Sequence, residues 1–288
     1  MTTPTKTFLV IGASTGLGRA TAAALARDPG HRVVTAGRHR GADLAVDLRD
    51  LGDIARAADA AARLGPLAGI ACNAGTQDAG EPSFTAGGVE MTFAVNVLAH
   101  VAFVARLAPA RGTRIGFVGS GTLDGELRGS RMFGFRGGLY TDAATLAAGT
   151  PDPAVGVAQN ARDRYATSKL CDLLIVRALA RRGVDAFAID PGLMPGTGLA
   201  RDHGAIGRFA WRTVLRLASV VMPGASTATR SGRAYAWALT DAPRGAYVDY
   251  RRRVVDTPAV ARRDDQAEEL YAHCLALAGV RDPYPYQE

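Results

Sequence analysis

Short apolar runs alternate with longer amphipathic stretches along nearly the whole of this chain, beginning at Lys6. The apolar runs have the length of β-strands, and the amphipathic stretches have helical periodicity. Such alternation is typical of repeated strand–helix units that build a parallel sheet. No Pro-, Gly- or Ser-rich linker and no internal repeat divides the 288 residues. The pattern therefore predicts a single doubly wound α/β domain over residues 1–288, with a parallel seven-stranded sheet.

The predicted strands are Thr7–Ile11, Arg32–Ala36, Ala42–Val46, Gly69–Cys72, Arg114–Val118, Val184–Ile189 and Ala246–Tyr250. The predicted helices are Leu17–Arg27, Leu51–Arg63, Gly88–Leu107, Ala161–Arg182, His203–Val221, Ser226–Leu239 and Asp265–Ala278. Two stretches interrupt the alternation. Residues 121–160 lie in a Gly-, Thr- and Arg-rich stretch that is too long for an ordinary connection, which indicates an insertion. Residues 191–222 combine glycines and prolines with an apolar helix, and we predict that they form a substrate-binding flap.

With 48% hydrophobic and 21% charged residues, the composition excludes disordered, collagen-like and coiled-coil chains. Lys and Arg outnumber Asp and Glu by 34 to 27, a net charge of +7, although only Lys6 and Lys169 are lysines. The arginines are scattered, and their densest group, Arg251 to Arg253, lacks the interleaved aromatic residues of an RNA-binding surface. We therefore expect no nucleic-acid partner.

Cys72, Cys171 and Cys274 are too few and too scattered for a disulfide framework, and no Cys or His pair has zinc-ligand spacing. The polar start of the chain shows no signal-peptide pattern, and the longest apolar segment, Met91 to Ala110, contains polar interruptions. These features predict a soluble, cytoplasmic protein without a metal site or a membrane span.

The first predicted strand leads directly into a glycine-rich turn that opens a helix: Gly12, Ala13, Ser14, Thr15, Gly16, Leu17 and Gly18. Glycines allow the backbone to turn tightly, and the amides of the helix N-terminus favour a pyrophosphate. A tight turn without a ligand is the alternative. The position of the turn in the first strand–helix unit favours a dinucleotide-binding Rossmann fold.

The end of the second strand bears on the choice of dinucleotide, because an acidic residue there would bind the ribose hydroxyls of NAD. This chain instead has Arg38, which is placed to meet a 2′-phosphate together with the hydroxyls of Ser14 and Thr15. An arginine in an Arg-rich chain is also a candidate bystander. The residues favour NADPH over NADH.

Tyr165 and Lys169 lie four residues apart and therefore share one face of a predicted helix. A free tyrosine has a pKa near 10, and a neighbouring ammonium lowers it towards the working range of a proton donor. The alternative is an ordinary polar pair on the exposed face of a helix.

Taken together, these motifs resemble the short-chain dehydrogenase/reductase family. The resemblance covers about residues 7–197, where the family anchors occur in order: Gly12-x3-Gly16-x-Gly18, Asn73-Ala74-Gly75, Asn96, Ser120, Tyr165-x3-Lys169 and Pro191-Gly192. It implies that Tyr165 protonates a substrate carbonyl oxygen and that Ser120 donates a hydrogen bond to the same oxygen. Lys169 would hold the nicotinamide ribose and lower the pKa of Tyr165. Asn96 would position a water that links Lys169 to solvent.

The resemblance also implies further cofactor contacts at the carboxyl edge of the sheet. Asp47 and Leu48 would lie at the adenine ring, and Asn73, Ala74 and Gly75 would support the cofactor. Pro191, Gly192 and Thr197 would close over the nicotinamide. Ile11, Cys72 and Gly119 depart from common family residues, but none of these departures removes a catalytic group.

Residues 190–199, and residues 118–120 with the long segment after them, look like the branch that contains protochlorophyllide reductases, retinol dehydrogenases and WW-domain oxidoreductases. This similarity suggests a bulky, apolar or polycyclic ketone, or its alcohol, as the substrate. Ser120 and Tyr165 are 45 positions apart, longer than in the commonest members by about thirty residues. In some carbonyl reductases such an insertion covers the dimer face, so both a monomer and a homodimer stay open.

The sequence therefore favours an NADPH-dependent ketoreductase, an oxidoreductase acting on CH–OH and C=O groups, with a place in secondary metabolism. A catalytically silent NADPH-sensing module of the same fold is the alternative. The intact set of Ser120, Tyr165 and Lys169 argues against that alternative, because a sensor needs no proton donor beside the nicotinamide.

Overall fold

One mixed sheet organises the part of the chain that the structure describes. The computed structural model describes residues 5–194 and 224–285. Its strands are β1 Lys6–Ile11, β2 His31–Gly37, β3 Leu44–Ala45, β4 Gly69–Cys72, β5 Arg114–Val118, β6 Ala186–Asp190, β7 Tyr247–Asp249 and β8 Val254–Val255. The strand order is β3-β2-β1-β4-β5-β6-β7-β8, and every pair is parallel except β7 with β8.

Helices cover both faces of the sheet. They are α1 Gly16–Leu25, α2 Leu51–Ala62, α3 Met91–Phe93, α4 Ala99–Leu107, α5 Arg128–Met132, α6 Ala143–Ala147, α7 Val157–Arg181, α8 Ala228–Asp241 and α9 Asp264–Ala278. A π-helical turn over Ala94–Leu98 joins α3 to α4. None of the described helices is both long and apolar enough to cross a membrane.

Side chains along each strand alternate between two buried layers, because successive residues of a strand point to opposite faces. Leu9 and Ile11 of β1 lie in the layer with α2, α4, α7 and α9. Phe8 and Val10 lie in the layer with α1 and α8. The central strands β4, β5 and β6 are buried on both sides and are therefore mostly apolar, whereas β2, nearer the edge, is largely half-buried.

The strand order changes direction between β1 and β4. These two strands are neighbours in the sheet, and Ile11 of β1 pairs with Cys72 of β4. Beyond the carboxyl ends of these strands, the outgoing loops separate and leave a crevice. Ligands of doubly wound sheets bind in such crevices. The glycine-rich turn, Asn73 and Ser120 all follow strands that end at this edge.

The predicted fold class is confirmed, and the differences lie in details of the elements. The structure adds the antiparallel strand β8, a two-residue strand that has no alternating pattern of its own. It shortens the predicted third strand to Leu44–Ala45 and starts the predicted Ala161 helix earlier, at Val157. The predicted helix Gly88–Leu107 starts at Met91 and contains the π-helical turn. The predicted helix His203–Val221 and most of the predicted flap lie outside the described residues.

The insertion is partly ordered into short elements rather than being an irregular loop. It holds a 3₁₀ turn at Gly121–Leu123 together with α5 and α6. Glu269 of α9 connects it to the body of the protein, since its carboxylate accepts hydrogen bonds from the Tyr140 hydroxyl and, at 3.0 Å, from the Ala143 amide. The insertion is therefore docked against the C-terminal helix.

Candidate active site

The glycine-rich turn is built by a close approach between two loops. Gly12 has φ +88°, and a Cβ there would lie 2.7 Å from the Ala74 backbone. The Asn73 side chain donates from Nδ2 to the Gly12 carbonyl at 2.8 Å. A Cβ on Gly18 would lie 2.2 Å from the same carbonyl oxygen. Glycine is therefore required at positions 12 and 18 by backbone geometry and packing.

The turn ends at the N-terminus of α1, whose first turn carries no acidic residue and whose Thr15 side chain makes no capping hydrogen bond. The helix dipole and the first amides thus remain suited to an anion. Ser14 and Thr15 are exposed, whereas Leu17 is buried in the core. Leu17 therefore has only its backbone amide to offer to a cofactor.

The structure brings Arg38 and Asp47 to the same end of the sheet, next to the end of β2. Arg38 is exposed and directly follows β2, and its charge contributes to lowering the pKa of Asp47. The larger cause of that shift is Arg49, whose Nε lies 2.9 Å from Asp47 Oδ1. Leu48 is half-buried and packs against the core.

Sequence reasoning missed an acidic residue beside the same strand. Asp43 accepts hydrogen bonds from the Thr35 amide at 2.8 Å and from the Thr35 hydroxyl at 2.7 Å, and these bonds lower the pKa of Asp43. Eight residues separate Asp43 from Thr35, so only the fold brings them together. These hydrogen bonds hold the Asp43 carboxylate beside Thr35 of β2, whereas Arg38 follows the end of that strand.

Tyr165 and Lys169 lie on the inner face of α7, with exposed fractions of 9% and 5%. The exposed polar pair considered above is therefore wrong for this helix. Lys169 Nζ lies 5.9 Å from the centre of the Tyr165 ring and donates to the Val118 carbonyl at 2.9 Å. Val118 ends β5, two residues before Ser120. This bond ties the Tyr–Lys helix to the strand that presents Ser120.

Ser120 is half-buried just beyond β5, and its Oγ accepts from the Thr122 amide at 3.2 Å. Thr122 Oγ1 lies 3.1 Å from the same oxygen. Thr122 is the donor in both of these hydrogen bonds, so neither of them uses the hydroxyl proton of Ser120. The side chain is thus oriented by the 3₁₀ turn and able to donate a hydrogen bond.

Asn96 occupies the π-helical turn and connects three segments. Its Oδ1 accepts from the Thr76 amide at 2.7 Å, and its Nδ2 donates to the Thr76 carbonyl at 3.0 Å and to Ser168 Oγ at 2.9 Å. The Asn96 carbonyl accepts from His100 Nδ1 at 3.1 Å. The side chain thus holds the loop after β4 against α7, and π-turns of this kind occur often at functional sites.

A buried acidic residue next to the Tyr–Lys pair was not predicted. Asp172 Oδ2 lies 2.9 Å from Lys169 Nζ, and both side chains are almost fully buried. Burial raises the pKa of Asp172 to about 6, against the opposing effect of Lys169. The signal in the sequence was an acidic residue three positions after Lys169, one helical turn away.

Burial is also the main influence on the pKa of Tyr165. Its pKa is raised because burial outweighs the Lys169 ammonium, which acts in the lowering direction, while Asp172 and Asp190 raise it further. Lys169 therefore acts to lower the pKa of Tyr165, as expected, but burial has the larger effect.

The carboxyl end of β6 leads into the segment expected near the nicotinamide. Gly192 has φ +71°, and a Cβ there would lie 2.8 Å from the Gly224 carbonyl and from Tyr250 Cδ1. The Pro191 carbonyl accepts from Ser231 Oγ at 2.6 Å. Thr197, which was expected to contact the cofactor, lies outside the described residues.

The insertion contributes apolar side chains beside Tyr165 and close to Gly121, the residue after Ser120. The Phe135 ring centre lies 6.2 Å from that of Tyr165, at an interplanar angle of 49°. A Cβ on Gly121 would lie 3.4 Å from Leu127 Cδ1, and Leu127 is 46% exposed. Neither residue was predicted, because the insertion has no periodicity that indicates which side chains face inward.

Several known proteins are similar to this chain in sequence. A family model described as short chain dehydrogenase matches residues 6–123. A protochlorophyllide reductase from Avena sativa is 33% identical over 237 residues, which cover 68% of this chain and 73% of that protein. Protochlorophyllide reductase B from Hordeum vulgare is 30% identical over 239 residues, which cover 70% of this chain and 60% of that protein. The chain thus matches less than two thirds of the barley protein.

Solved structures share the fold. A 3-alpha-hydroxysteroid dehydrogenase from Pseudomonas sp. B-0831, complexed with NADH, has a TM-score of 0.58 and 23% identity, covering 85% of this chain and 96% of that one. An NADPH-bound carbonyl reductase from chicken fatty liver has a TM-score of 0.55 and 14% identity, covering 88% and 100%. Sheet order, glycine turn and Tyr–Lys helix define a Rossmann-like α/β protein. The chain belongs to the short-chain dehydrogenase family.

Proposed function

We propose that this protein is an NADPH-dependent reductase that converts a bulky, apolar ketone into a secondary alcohol, with Tyr165 as the proton donor. The observation that carries the proposal is the hydrogen bond from Lys169 to the Val118 carbonyl at 2.9 Å. It places Tyr165, one helical turn before Lys169, at the sheet edge where Ser120 follows β5. A proton donor, an ammonium and a hydroxyl thus converge beside the strand ends.

The residues present fit a nicotinamide dinucleotide. Gly12 and Gly16 have positive φ angles, and α1 opens without an acidic residue in its first turn. Gly12, Ser14, Thr15, Gly16, Leu17 and Gly18 would hold the pyrophosphate, and Arg38 would hold the 2′-phosphate. Asp47 and Leu48 would lie at the adenine, and Asn73, Ala74, Gly75, Tyr165, Lys169, Pro191 and Gly192 would lie towards the nicotinamide. The bound cofactor supplies a hydride to the carbonyl carbon.

The chain's own residues would then manage the oxygen of the substrate. Ser120 donates a hydrogen bond to the carbonyl oxygen and positions it. As the C=O electron pair moves onto oxygen, the Tyr165 hydroxyl gives up its proton to form the alcohol. The charge that remains on the phenolate is stabilised by the Lys169 ammonium until a proton returns from solvent. A raised pKa of Tyr165 keeps the phenol protonated before this step.

The apolar part of the proposal is supported by the insertion. Phe135 lies against Tyr165, and Leu127 is close to Gly121, the residue after Ser120. A substrate carbonyl that reaches Ser120 and Tyr165 would therefore have apolar surface beside it. The relatives are named for protochlorophyllide reduction and one structural neighbour for a hydroxysteroid, which also supports a bulky substrate.

Replacement of Tyr165 by Phe tests the proposal. With NADPH and a panel of fused-ring ketones, we expect kcat/KM for the best substrate to fall by about 10²-fold or more, because the proton donor is lost. NADPH binding, measured by fluorescence titration, should change little. Tyr284→Phe is the matched control, since the Tyr284 hydroxyl donates to the Pro109 carbonyl away from the site. Full activity of Tyr165→Phe would reject the catalytic assignment, and NADPH binding without turnover of any ketone or alcohol would favour the sensing module.

A further inference from the structure

Lys169 has a buried carboxylate as its partner, in addition to the groups that the proposed mechanism uses. Asp172 is 2% exposed, and its Oδ2 lies 2.9 Å from Lys169 Nζ. The same ammonium donates to the Val118 carbonyl. In the protein alone, Lys169 is therefore directed towards Asp172 and β5, with Tyr165 at the longer distance of 5.9 Å from Nζ to the ring centre.

We propose that Asp172 is a positioning residue that acts through Lys169: it holds the ammonium against β5 and offsets its charge, so that the Tyr165 phenol stays protonated. This inference rests on the proposed function only in taking Tyr165 as the proton donor. Lys169 and Asp172 together carry no net charge. Where Asp172 is neutral, an uncompensated ammonium acts on the phenol.

Among the described residues, Asp172 is the main negative charge that opposes the Lys169 ammonium. His100 on α4 interacts with Lys169, but burial lowers the pKa of His100 to about 3, so it is neutral at physiological pH. Cys72 on β4 and Tyr235 on α8 face Asp172, and burial raises both of their pKa values. Cys171, the neighbour of Asp172 on α7, is likewise buried with a raised pKa.

Among the described residues, Asp190 at the end of β6 also acts on the pKa of Tyr165 and raises it. It is engaged elsewhere, because its Oδ1 accepts from the Gly192 amide at 2.9 Å. Asp172, by contrast, contacts the ammonium directly. A change at position 172 therefore removes the carboxylate that lies against Lys169.

The expected shift in the pKa of Tyr165 can be estimated from the spacing of Tyr165 and Asp172 on α7. Seven residues separate Tyr165 from Asp172, which places them about 10 Å apart along the axis at ~1.5 Å per residue. One charge at that distance, in a protein with an effective dielectric constant of about 20, shifts a titration by about one pH unit. The carboxylate disfavours the phenolate, so its removal should lower the pKa of Tyr165.

Ultraviolet difference titration of tyrosine ionisation in the cofactor-free protein tests this inference. The wild type minus Tyr165→Phe gives the Tyr165 midpoint, and Asp172→Asn minus the Asp172→Asn, Tyr165→Phe double variant gives the shifted midpoint. We expect the second midpoint to be lower by about one pH unit. The pH profile of kcat for alcohol oxidation should shift in the same direction.

Asp172→Glu retains the charge and is the matched control, with a midpoint close to that of the wild type. A purely structural role for Asp172 would reduce thermal stability in the variants and leave the tyrosine midpoint unchanged. Should Asp172→Asn not fold, Asp172→Ser removes the charge while keeping a hydroxyl for Nζ. An unchanged or higher midpoint in the charge-removing variant, or an equal shift in Asp172→Glu, overturns the inference.

Different experimental results would reject the proposed function and the proposed role of Asp172. The titration uses protein without cofactor or substrate, so its outcome does not depend on turnover. Full turnover by Tyr165→Phe rejects the proposed function whatever the midpoints are, whereas unshifted midpoints reject the role of Asp172 alone.

Discussion

Individual residues at this site combine structural and chemical tasks. Asn96 uses its amide to hold Thr76 and Ser168, and Asn73 uses its amide to close the glycine turn. Both were expected from the family resemblance, but the sequence could not show their partners, which are up to 72 positions away. These two asparagines of the candidate site thus hold together the loops that surround it.

Among single residues, Arg38 is the one on which the proposed preference for NADPH depends. Replacing it by Asp should weaken NADPH binding by about 10- to 100-fold, the equivalent of losing hydrogen bonds between charged groups. NADH has no 2′-phosphate, so its affinity should change by less than about 3-fold. Isothermal titration with both dinucleotides measures the effect, and Arg40→Asp on the same exposed loop is the control. Equal losses for the two dinucleotides would contradict the assignment.

The elements differ in how far their positions could be predicted from the sequence. Most of the strands and α1 have sequence patterns typical of their type, so their approximate positions could be predicted, whereas the two-residue strand β8 could not. The insertion has no such pattern, and its short helices are held by tertiary contacts such as that between Ala143 and Glu269. Its internal structure therefore lay beyond sequence reasoning.

The insertion should set substrate preference through Phe135. Phe135→Ala removes the aromatic surface beside Tyr165 and should raise KM for a fused-ring ketone by about tenfold, the equivalent of ~1.4 kcal/mol. KM for a small acyclic ketone should hardly change. Steady-state kinetics on both substrates test this, with Met132→Ala, a 63% exposed position of the same insertion, as the control. A similar rise in KM for both ketones would indicate general disruption instead.

For the whole molecule, the doubly wound class, the parallel direction of the main strands and the helices on both faces followed from the alternation of elements, whereas the strand order and the antiparallel β8 come from the structure. The buried polar cluster around Lys169 could not be predicted either, because Asp172 and His100 look like ordinary helical residues in the sequence. Only the packing of α4 and α7 against β5 makes their charge states matter for the stability of the fold.

His100 links global stability to pH. Its pKa is lowered from 6.5 to about 3, with burial as the main cause, so its contribution is fully present above pH 6.5 and is lost as pH falls towards 3. Asp172, with its pKa raised to about 6, acts in the opposite direction between 6 and 3.8. The free energy of unfolding of wild type and His100→Asn should therefore be compared at each pH.

Relative to wild type, His100→Asn should gain about 1.4 kcal/mol of stability per pH unit below 6.5, since it has no imidazole to charge on unfolding. Urea denaturation between about pH 7 and pH 4 provides the measurement. Parallel stability curves for wild type and His100→Asn would show that His100 does not titrate on unfolding.

Both edge strands of the sheet are only two residues long, β3 at one side and β8 at the other. An open strand edge presents unpaired amides and carbonyls to which another polypeptide can add a strand. Here the antiparallel β8 covers β7, and arginines occupy the connecting turn. Short, charged borders of this kind discourage strand addition during synthesis and refolding, when many copies meet at high concentration. Any assembly of copies through the described residues would therefore use helices and loops rather than a shared sheet.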